Sequence, residues 1–258
     1  PDAFSQGRRM MHFGSPDNWG DFIESQMPQI LELVVGTWEA MPPPAGNELE
    51  DTVSESLCRA LRQSRNRCEL PFRIDTQLVE LDPAAGQDQG RMDIVFSPSV
   101  PREDIYFCLE CKRLNVRDHS GGTPRPYFVE YVQFGMLRFV RGQYANSVRF
   151  GGMLAFVLNG DVPAAIAGVE ANIMQKQTEL AMSQRGCFLP SSVRPRDSRV
   201  KETIHTRATQ VHPFVIHHLF MVGDPNAPLN PAAQQNRKAP KKRKSTGKRR
   251  KPEDKGGW

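Results

Sequence analysis

The chain has 258 residues, of which 38% are hydrophobic and 24% are charged, and this size and composition suit one sizeable globular domain. No apolar segment approaches the roughly 20 residues needed to cross a bilayer, and the first residues lack the order of a secretory signal, so we expect an intracellular protein without a membrane partner. The formal net charge of +5 is uneven, because residues 237–255 carry eleven Lys or Arg against two acidic residues, a net charge of +9 that leaves −4 for the remainder.

Two helices are predicted near the start of the chain. Residues 1–18 are polar and lack periodicity, which indicates a flexible leader. Apolar residues then recur at helical spacing over residues 19–35, and three consecutive prolines at 42–44 end this helix. A second helix is predicted from an apolar stripe over residues 49–61, with Asn47 as its N-cap and acidic residues in its first turn.

Three strands are predicted in the middle of the chain. Apolar segments at residues 72–81, 92–96 and 105–111 are separated by segments rich in turn-forming residues. Cys108 and Cys111 lie three positions apart on the last of these strands, so they face opposite sides of the sheet. This placement argues against a zinc site or a redox bridge formed by the two cysteines.

Helices and strands alternate in the second half of the chain. The pattern predicts a helix at residues 127–144, a strand buried on both faces at 152–158, a helix at 164–182, a loop at 183–199 and a final strand at 211–222. Such an alternation is typical of an α/β fold, with a mixed β-sheet core flanked by helices.

The domain is therefore expected to cover residues 19–222, followed by a disordered Pro-containing linker and basic tail at 223–258. Residues 240–244 resemble a nuclear localisation signal, which would make the protein nuclear in a eukaryote; in a bacterium we expect it in the cytoplasm or nucleoid. The same basic residues suit a phosphate-binding arm, and a purely solubilising tail is the third interpretation. The tail residues expected to contact nucleic acid are Lys241, Lys242, Arg243, Lys244, Lys248, Arg249, Arg250 and Lys251.

Three charged residues stand in strands that are otherwise apolar. Asp93 interrupts the strand at 92–96, and Glu110 and Lys112 share one face of the next strand because strand side chains alternate. Charges are placed in a core strand only at high cost unless they are paired, hydrogen-bonded or bound to a metal. If the two strands are neighbours, the carboxylates of Asp93 and Glu110 converge on one divalent cation, and hard oxygen ligands favour Mg²⁺ or Mn²⁺.

Such a site predicts phosphodiester hydrolysis, in which the cation activates a water and Lys112 orients it. The alternative is a structural salt bridge between Glu110 and Lys112 at a sheet edge. Near the final strand, His205, His212, His217 and His218 favour structural roles, with a substrate contact by His205 and Arg207 left open.

Asp93 followed by Glu110-Cys111-Lys112 at the end of a strand resembles the D…ExK signature of the PD-(D/E)xK nuclease superfamily. Met92 stands where the family's name has Pro. The resemblance implies a restriction-endonuclease-like fold, a metal ion held by Asp93, Glu110 and the Cys111 carbonyl, and a catalytic role for Lys112.

Further site residues are implied by the same resemblance. A helix before the first motif strand often contributes a Glu in this family, and Glu50 resembles that residue, with Glu48 and Glu55 as rivals. A helix after the ExK strand commonly contacts the cleaved phosphate, and Gln133, Arg138 and Tyr131 are the matching positions. The alternatives are a polar helix face for Gln133 and Arg138 and a core position for the aromatic ring of Tyr131.

The resemblance also implies partners. Nucleic acid, with DNA expected over RNA, would be the substrate, and the chain would be an effector subunit of a bacterial restriction or antiviral defence system. A helicase or another ATPase is the expected protein partner, and a homodimer suits a nuclease that cuts both strands. The alternative is a catalytically inactive subunit with the nuclease fold, which binds DNA or assembles through its basic tail.

Overall fold

The computed structural model describes residues 16–99, 105–118, 122–182, 188–207, 210 and 212–233, with the backbone alone for residues 16–21. Within these residues the strands are β1 Phe72–Val79, β2 Arg91–Pro98, β3 Phe107–Leu114, β4 Phe150–Val157, β5 Leu189–Pro190, β6 Val200–His205 and β7 Phe214–Val222. The helices are α1 Pro16–Ala40, α2 Glu50–Arg67, α3 Phe128–Tyr131, α4 Leu137–Val140 and α5 Val162–Gln175. A π-helical turn, Val132–Met136, joins α3 to α4.

All seven strands form one mixed sheet in the order β1-β2-β3-β4-β7-β6-β5. The first three strands pair antiparallel, β4 runs parallel to both β3 and β7, and β6 returns antiparallel to β7. One apolar core lies between the sheet and helices α1 and α2, and a second lies between the sheet and helices α3 to α5. The predicted α/β class with a mixed sheet flanked by helices is therefore confirmed. In the described part of the chain, no helix is long and apolar enough to span a membrane.

The predicted elements of the first half agree with the structure apart from their ends. Strand β3 continues to Leu114, so Glu110 and Lys112 lie within it and not at its last residues. Cys108 and Cys111 are buried in opposite cores, as their spacing predicts. Burial raises the pKa of both thiols well above the ordinary value, which makes them unreactive.

The second half departs more from the prediction. The helix expected to reach residue 144 ends at Val140, and the next helix ends at Gln175 instead of residue 182. Strands β5 and β6 were not predicted, and β5 lies in the segment expected to be a loop. Strand β6 escapes detection because three of its buried side chains, those of Glu202, Thr203 and His205, are polar, so the apolar periodicity of a strand is missing.

Residues 223–233 belong to the folded part of the chain, although the sequence assigns them to the linker. The amide of Gly46 donates to the carbonyl of Pro228 at 3.2 Å. Asn47 exchanges two bonds with Asn230, through its Oδ1 at 2.6 Å and its Nδ2 at 3.0 Å. Asn47 is therefore not the N-cap of α2; that position is Leu49, whose side chain cannot accept a hydrogen bond. The rest of the predicted tail and residues 1–15 lie outside the described residues.

The substrate contact left open for His205 and Arg207 is wrong, because both side chains are internal. His205 is fully buried between the Thr203 hydroxyl at 2.7 Å and the Leu180 carbonyl at 2.7 Å. Arg207 is 3% exposed and donates to main-chain carbonyls, among them that of Ala145 at 2.6 Å. Both residues satisfy buried polar groups of the fold.

Glu202 is a buried carboxylate that ties β6 to the segment before it. Its Oε1 accepts from the hydroxyl of Ser191 at 3.0 Å and from the amide of Ser192 at 2.6 Å, and His217 Nδ1 lies 3.3 Å away on β7. Burial works to raise the pKa of this carboxyl, but the His217 ring and the Ser192 donors outweigh it and lower the pKa to about 2.

The Glu202→Gln variant should therefore lose stability in a pH-dependent way. Because the folded pKa of about 2 lies below the ordinary 4.5, the carboxylate stabilises the fold above pH 4.5 and this contribution is lost as the pH falls towards 2. We expect a loss of about 1–3 kcal/mol at pH 7, measured by urea unfolding, and a smaller loss at pH 3. Glu179→Gln, at a half-exposed carboxylate, should change stability by less than about 0.5 kcal/mol at either pH. A Glu202→Gln deficit that is equal at the two pH values would contradict this.

Candidate active site

Four charged side chains from three elements come together around strand β3. Glu50 is the first residue of α2, Asp93 lies on β2, and Glu110 and Lys112 lie on β3. Strands β2 and β3 are paired neighbours, as predicted, with Ile94 opposite Leu109. The paired register ends at Ile94 and Leu109, and just beyond it the Asp93 carboxylate accepts from the amide of Cys111 on β3.

The ammonium of Lys112 is the centre of the cluster. It donates to Glu110 Oε1 at 2.8 Å, to Glu50 Oε1 at 2.9 Å and to the carbonyl of Cys111 at 2.8 Å, and the side chain is only 11% exposed. Burial lowers the pKa of an ammonium, but the charges of Glu110 and Glu50 outweigh it and raise the pKa of Lys112 above its ordinary value. Lys112 is therefore a fixed positive charge at neutral pH.

Glu110 is the most buried carboxylate of the cluster. Its side chain is 2% exposed, and its Oε1 accepts from Arg138 Nη1 at 2.9 Å as well as from Lys112. Its Oε2 is buried and has no hydrogen-bond partner among the described residues. Burial raises the pKa of Glu110 to about 7 in spite of the two cations. A buried carboxylate oxygen without a donor is costly, and a bound cation would remove that cost.

The π-helical turn covers Glu110 from the second core. Gly135 lies in this turn, and a Cβ atom there would come within 2.3 Å of Met153 Cε and 3.8 Å of Glu110 Cγ. The absence of a side chain at Gly135 thus lets the turn pack directly on β3 and β4. Its position also brings Arg138, two residues after the turn, against the carboxylate.

Asp93 is held by donors on both oxygens. The amide of Cys111 donates to Oδ2 at 2.7 Å, and the side-chain amide of Gln77 donates to Oδ1 at 3.2 Å. Burial raises the pKa of Asp93 above its ordinary value, against the lowering effect of Lys112 and of the Cys111 amide. The Cys111 residue therefore links the two parts of the cluster, since its N–H binds Asp93 and its carbonyl accepts from Lys112.

The three candidate glutamates, which lie on α2 or just before it, have different partners in the structure. Glu50 accepts from Lys112 through Oε1 and from the amide of Arg113 through Oε2 at 3.1 Å. Glu48 accepts instead from Asn230 at 3.0 Å and lies against the C-terminal segment, and Glu55 is exposed. Glu50 is the one that joins the cluster.

The three residues expected to contact substrate have different places. Arg138 is one-third exposed and bridges Glu110 to the hydroxyl of Tyr144 at 2.8 Å. Gln133 is exposed on the π-helical turn. The expected substrate contact by Tyr131 is wrong, because this side chain is fully buried and its hydroxyl bonds His218 Nδ1 at 2.8 Å in the second core.

The fit to a divalent cation rests on few ligands. In the part of the chain that the structure describes, no three His, Cys, Asp or Glu residues form a group able to hold a metal ion. The ligand set expected from the sequence has only two carboxylates, Asp93 and Glu110, and the unpartnered Oε2 of Glu110 suits such an ion. The third expected ligand, the Cys111 carbonyl, accepts a bond from Lys112 in this structure.

Comparisons with protein-family models, with curated proteins and with solved structures find no match to this chain. The resemblance to the nuclease superfamily therefore depends on Asp93, Glu110 and Lys112 and on the order of the elements around them.

A double-mutant cycle should show strong coupling between Lys112 and Glu110. Lys112→Met removes one of two cations from a buried carboxylate, and we expect a cost of about 2–4 kcal/mol by urea unfolding. The same change in a Glu110→Gln background should cost about 1–2 kcal/mol less, because no buried charge is left uncompensated. The exposed pair Lys176–Glu179, with a similar N–O distance of 3.0 Å, is the control and should couple by less than about 0.5 kcal/mol. Additive effects of the two changes at 110 and 112 would contradict a direct buried contact.

Proposed function

We propose that this chain is a divalent-metal-dependent nuclease with a restriction-endonuclease-like core, and that it hydrolyses phosphodiester bonds in DNA. One observation carries the proposal: Glu110 binds a buried ammonium, Asp93 on the adjacent strand interacts electrostatically with the same ammonium, and one oxygen of Glu110 has no donor among the described residues. This combination of hard oxygen ligands and a fixed cation matches the needs of phosphodiester cleavage.

Each residue of the cluster has a part in the proposed reaction. Asp93 and Glu110 would hold Mg²⁺ or Mn²⁺, which, when bound, lowers the pKa of a coordinated water and neutralises negative charge on the phosphodiester. Lys112, protonated at neutral pH, would exchange one of its three hydrogen bonds within the cluster for a bond to the attacking water or to a phosphate oxygen. Glu50 keeps the Lys112 side chain in place, and the amide of Arg113 in turn fixes Glu50.

The position of Arg138, at the exposed side of the cluster, supports a role for this residue in binding phosphate. Its guanidinium contacts Glu110 but is one-third exposed, so a second face remains open to an anion. Its bond to the Tyr144 hydroxyl, which itself donates to the Arg91 carbonyl at 3.0 Å, holds the group in one orientation. A guanidinium so held is suited to a phosphate of the substrate.

The basic tail supplies affinity that the globular part lacks. Residues 237–255 carry a net charge of +9, whereas the remainder of the chain carries −4 and would repel a polyanion. These residues lie outside the described part of the chain, and their role is inferred from charge alone. Lys and Arg in such a segment bind phosphates without regard to sequence and release counterions, so the affinity falls with salt.

A catalytically inactive DNA-binding or assembly subunit is the second candidate, and one observation favours it. Glu110 Oε1 already accepts from both Lys112 and Arg138, so its charge is neutralised within the protein. In that case the cluster would act as a structural tie between β3 and α2. A helicase or ATPase partner in restriction or antiviral defence suits either candidate, by analogy with nucleases of this fold.

Activity of the full chain decides between the two candidates. We expect cleavage of DNA that requires Mg²⁺ or Mn²⁺, stops with a chelator, and falls at least about 100-fold in Asp93→Asn and Lys112→Met, because each change removes a charge from the reacting centre. Asp75→Asn, on the neighbouring strand β1 and paired to Arg62 at 3.3 Å, is the matched control and should keep full activity. Cleavage at the wild-type rate by both site variants would exclude this site as the origin of the activity.

Deletion of residues 237–258 should weaken DNA binding without abolishing metal-dependent cleavage at high enzyme concentration. Each phosphate contact contributes a slope of about −0.9 to the dependence of log affinity on log salt, so the truncated chain should show a shallower slope. Fluorescence anisotropy over a salt series measures this. If the wild-type chain binds no metal and the truncated chain binds no DNA at all, the inactive DNA-binding subunit is the correct assignment.

A further inference from the structure

Gln77 stands at the position of the β1–β2 register that corresponds to Asp93, the one pair missing from this ladder, and it has an unusual backbone conformation. The antiparallel register of β1 and β2 is unbroken on either side, with Thr76 opposite Ile94 and Leu78 opposite Met92. No residue is inserted, yet Gln77 has φ of 57°, in the left-handed region. Such a conformation is uncommon and sterically costly for a residue with a side chain.

The position of this left-handed residue sets it apart. Among the described residues there are six non-glycine positions with positive φ, and five of them lie outside the strands. They are Glu69, Asn115, Tyr127, Ala145 and Ala181, next to the ends of elements or in turns. Only Gln77, in the part of the chain that is described, lies inside a strand. Strain of this kind persists where the surrounding structure demands it, and it concentrates at functional sites.

Strand β1 donates two hydrogen bonds to Asp93, one from Gln77 and one from its neighbour Thr76. The side-chain amide of Gln77 donates to Asp93 Oδ1 at 3.2 Å, and the hydroxyl of Thr76 donates to the carbonyl of Asp93 at 2.9 Å. On the other side, the amide of Cys111 donates to Oδ2 at 2.7 Å. Donors from β1 and β3 thus hold the two oxygens of one carboxylate, which prevents its rotation about the Cβ–Cγ bond.

We propose that Gln77 is a positioning residue for Asp93, and that β1 adopts a strained conformation to place the Gln77 amide against this carboxylate. The proposed benefit of this positioning is a carboxylate pre-oriented for a divalent cation, and this part rests on the proposed nuclease function. The positioning itself does not, because it consists of contacts within the protein. Partners that orient a metal-binding carboxylate typically change metal affinity by about 10–100-fold when they are removed.

The test is Gln77→Gly in the full chain, with Glu69→Gly as the matched control. Glu69 has a similar φ of 52°, is exposed, and lies beyond the end of α2. Glycine relieves the left-handed strain at both positions, so Glu69→Gly should have a Tm raised by about 2–4 °C, whereas in Gln77→Gly the loss of the bond to Asp93 offsets this gain. Only Gln77→Gly should lower the affinity for Mn²⁺, by about 10–100-fold in calorimetric titration.

A second measurement, by NMR, uses the metal-free protein. The Cys111 amide proton reports on the Asp93 carboxylate that it binds, and in Gln77→Gly its NMR resonance should move upfield and its exchange with solvent should become faster. Gln77→Met, which keeps the side-chain length but has no donor, should reproduce both the NMR change and the loss of Mn²⁺ affinity without a higher Tm.

The outcomes separate this inference from the proposed function. An unchanged Cys111 amide in both Gln77→Gly and Gln77→Met would overturn it whatever the Tm, since Gln77 would then serve only the stability of the strand. If the wild-type chain binds no Mn²⁺, the nuclease proposal fails. The Cys111 amide in the metal-free protein still decides whether Gln77 positions Asp93.

Discussion

The shared ammonium of Lys112 is the interaction on which the site depends. It joins β3 to the start of α2 through Glu50 and compensates Glu110 in a place from which water is excluded. Without it, the carboxylates would meet in a buried volume with a large desolvation cost and mutual repulsion. Charge compensation inside the protein also explains how the chain keeps an acidic cluster folded with its own residues alone.

The sheet supplies the geometry that this compensation needs. The antiparallel pairing of β2 and β3 brings Asp93 against the Cys111 amide, next to Glu110, and the parallel strand β4 on the far side of β3 is buried on both faces, which makes β3 a rigid support. Two cores hold β3 from opposite sides. The catalytic groups proposed here therefore lie on strands, where side-chain directions are determined more tightly than on loops.

Sequence periodicity was sufficient for the centre of the site and insufficient for its surroundings. Alternation along a strand predicts that Glu110 and Lys112 share a face, because that property is local. Tyr131 is a core aromatic, which its segment offered as the alternative, but the partner of its hydroxyl is a histidine 87 positions away and could not be predicted from that segment. Gln77 escaped notice for a similar reason, since its left-handed conformation and its place opposite Asp93 depend on strand register, and Glu50 stood out from Glu48 only once α2 was placed against β3.

The number of residues in the π-helical turn determines where Arg138 lies relative to Glu110. Successive residues of an α-helix are rotated by roughly 100° about its axis, so a single deletion within Val132–Met136 would restore ordinary helical geometry while swinging Arg138 away from Glu110. Substitutions at the exposed positions of this turn leave the backbone path intact, whereas a change in residue number does not. Across evolutionary time, the exposed positions of this turn should tolerate substitution far better than the turn as a whole tolerates insertions or deletions.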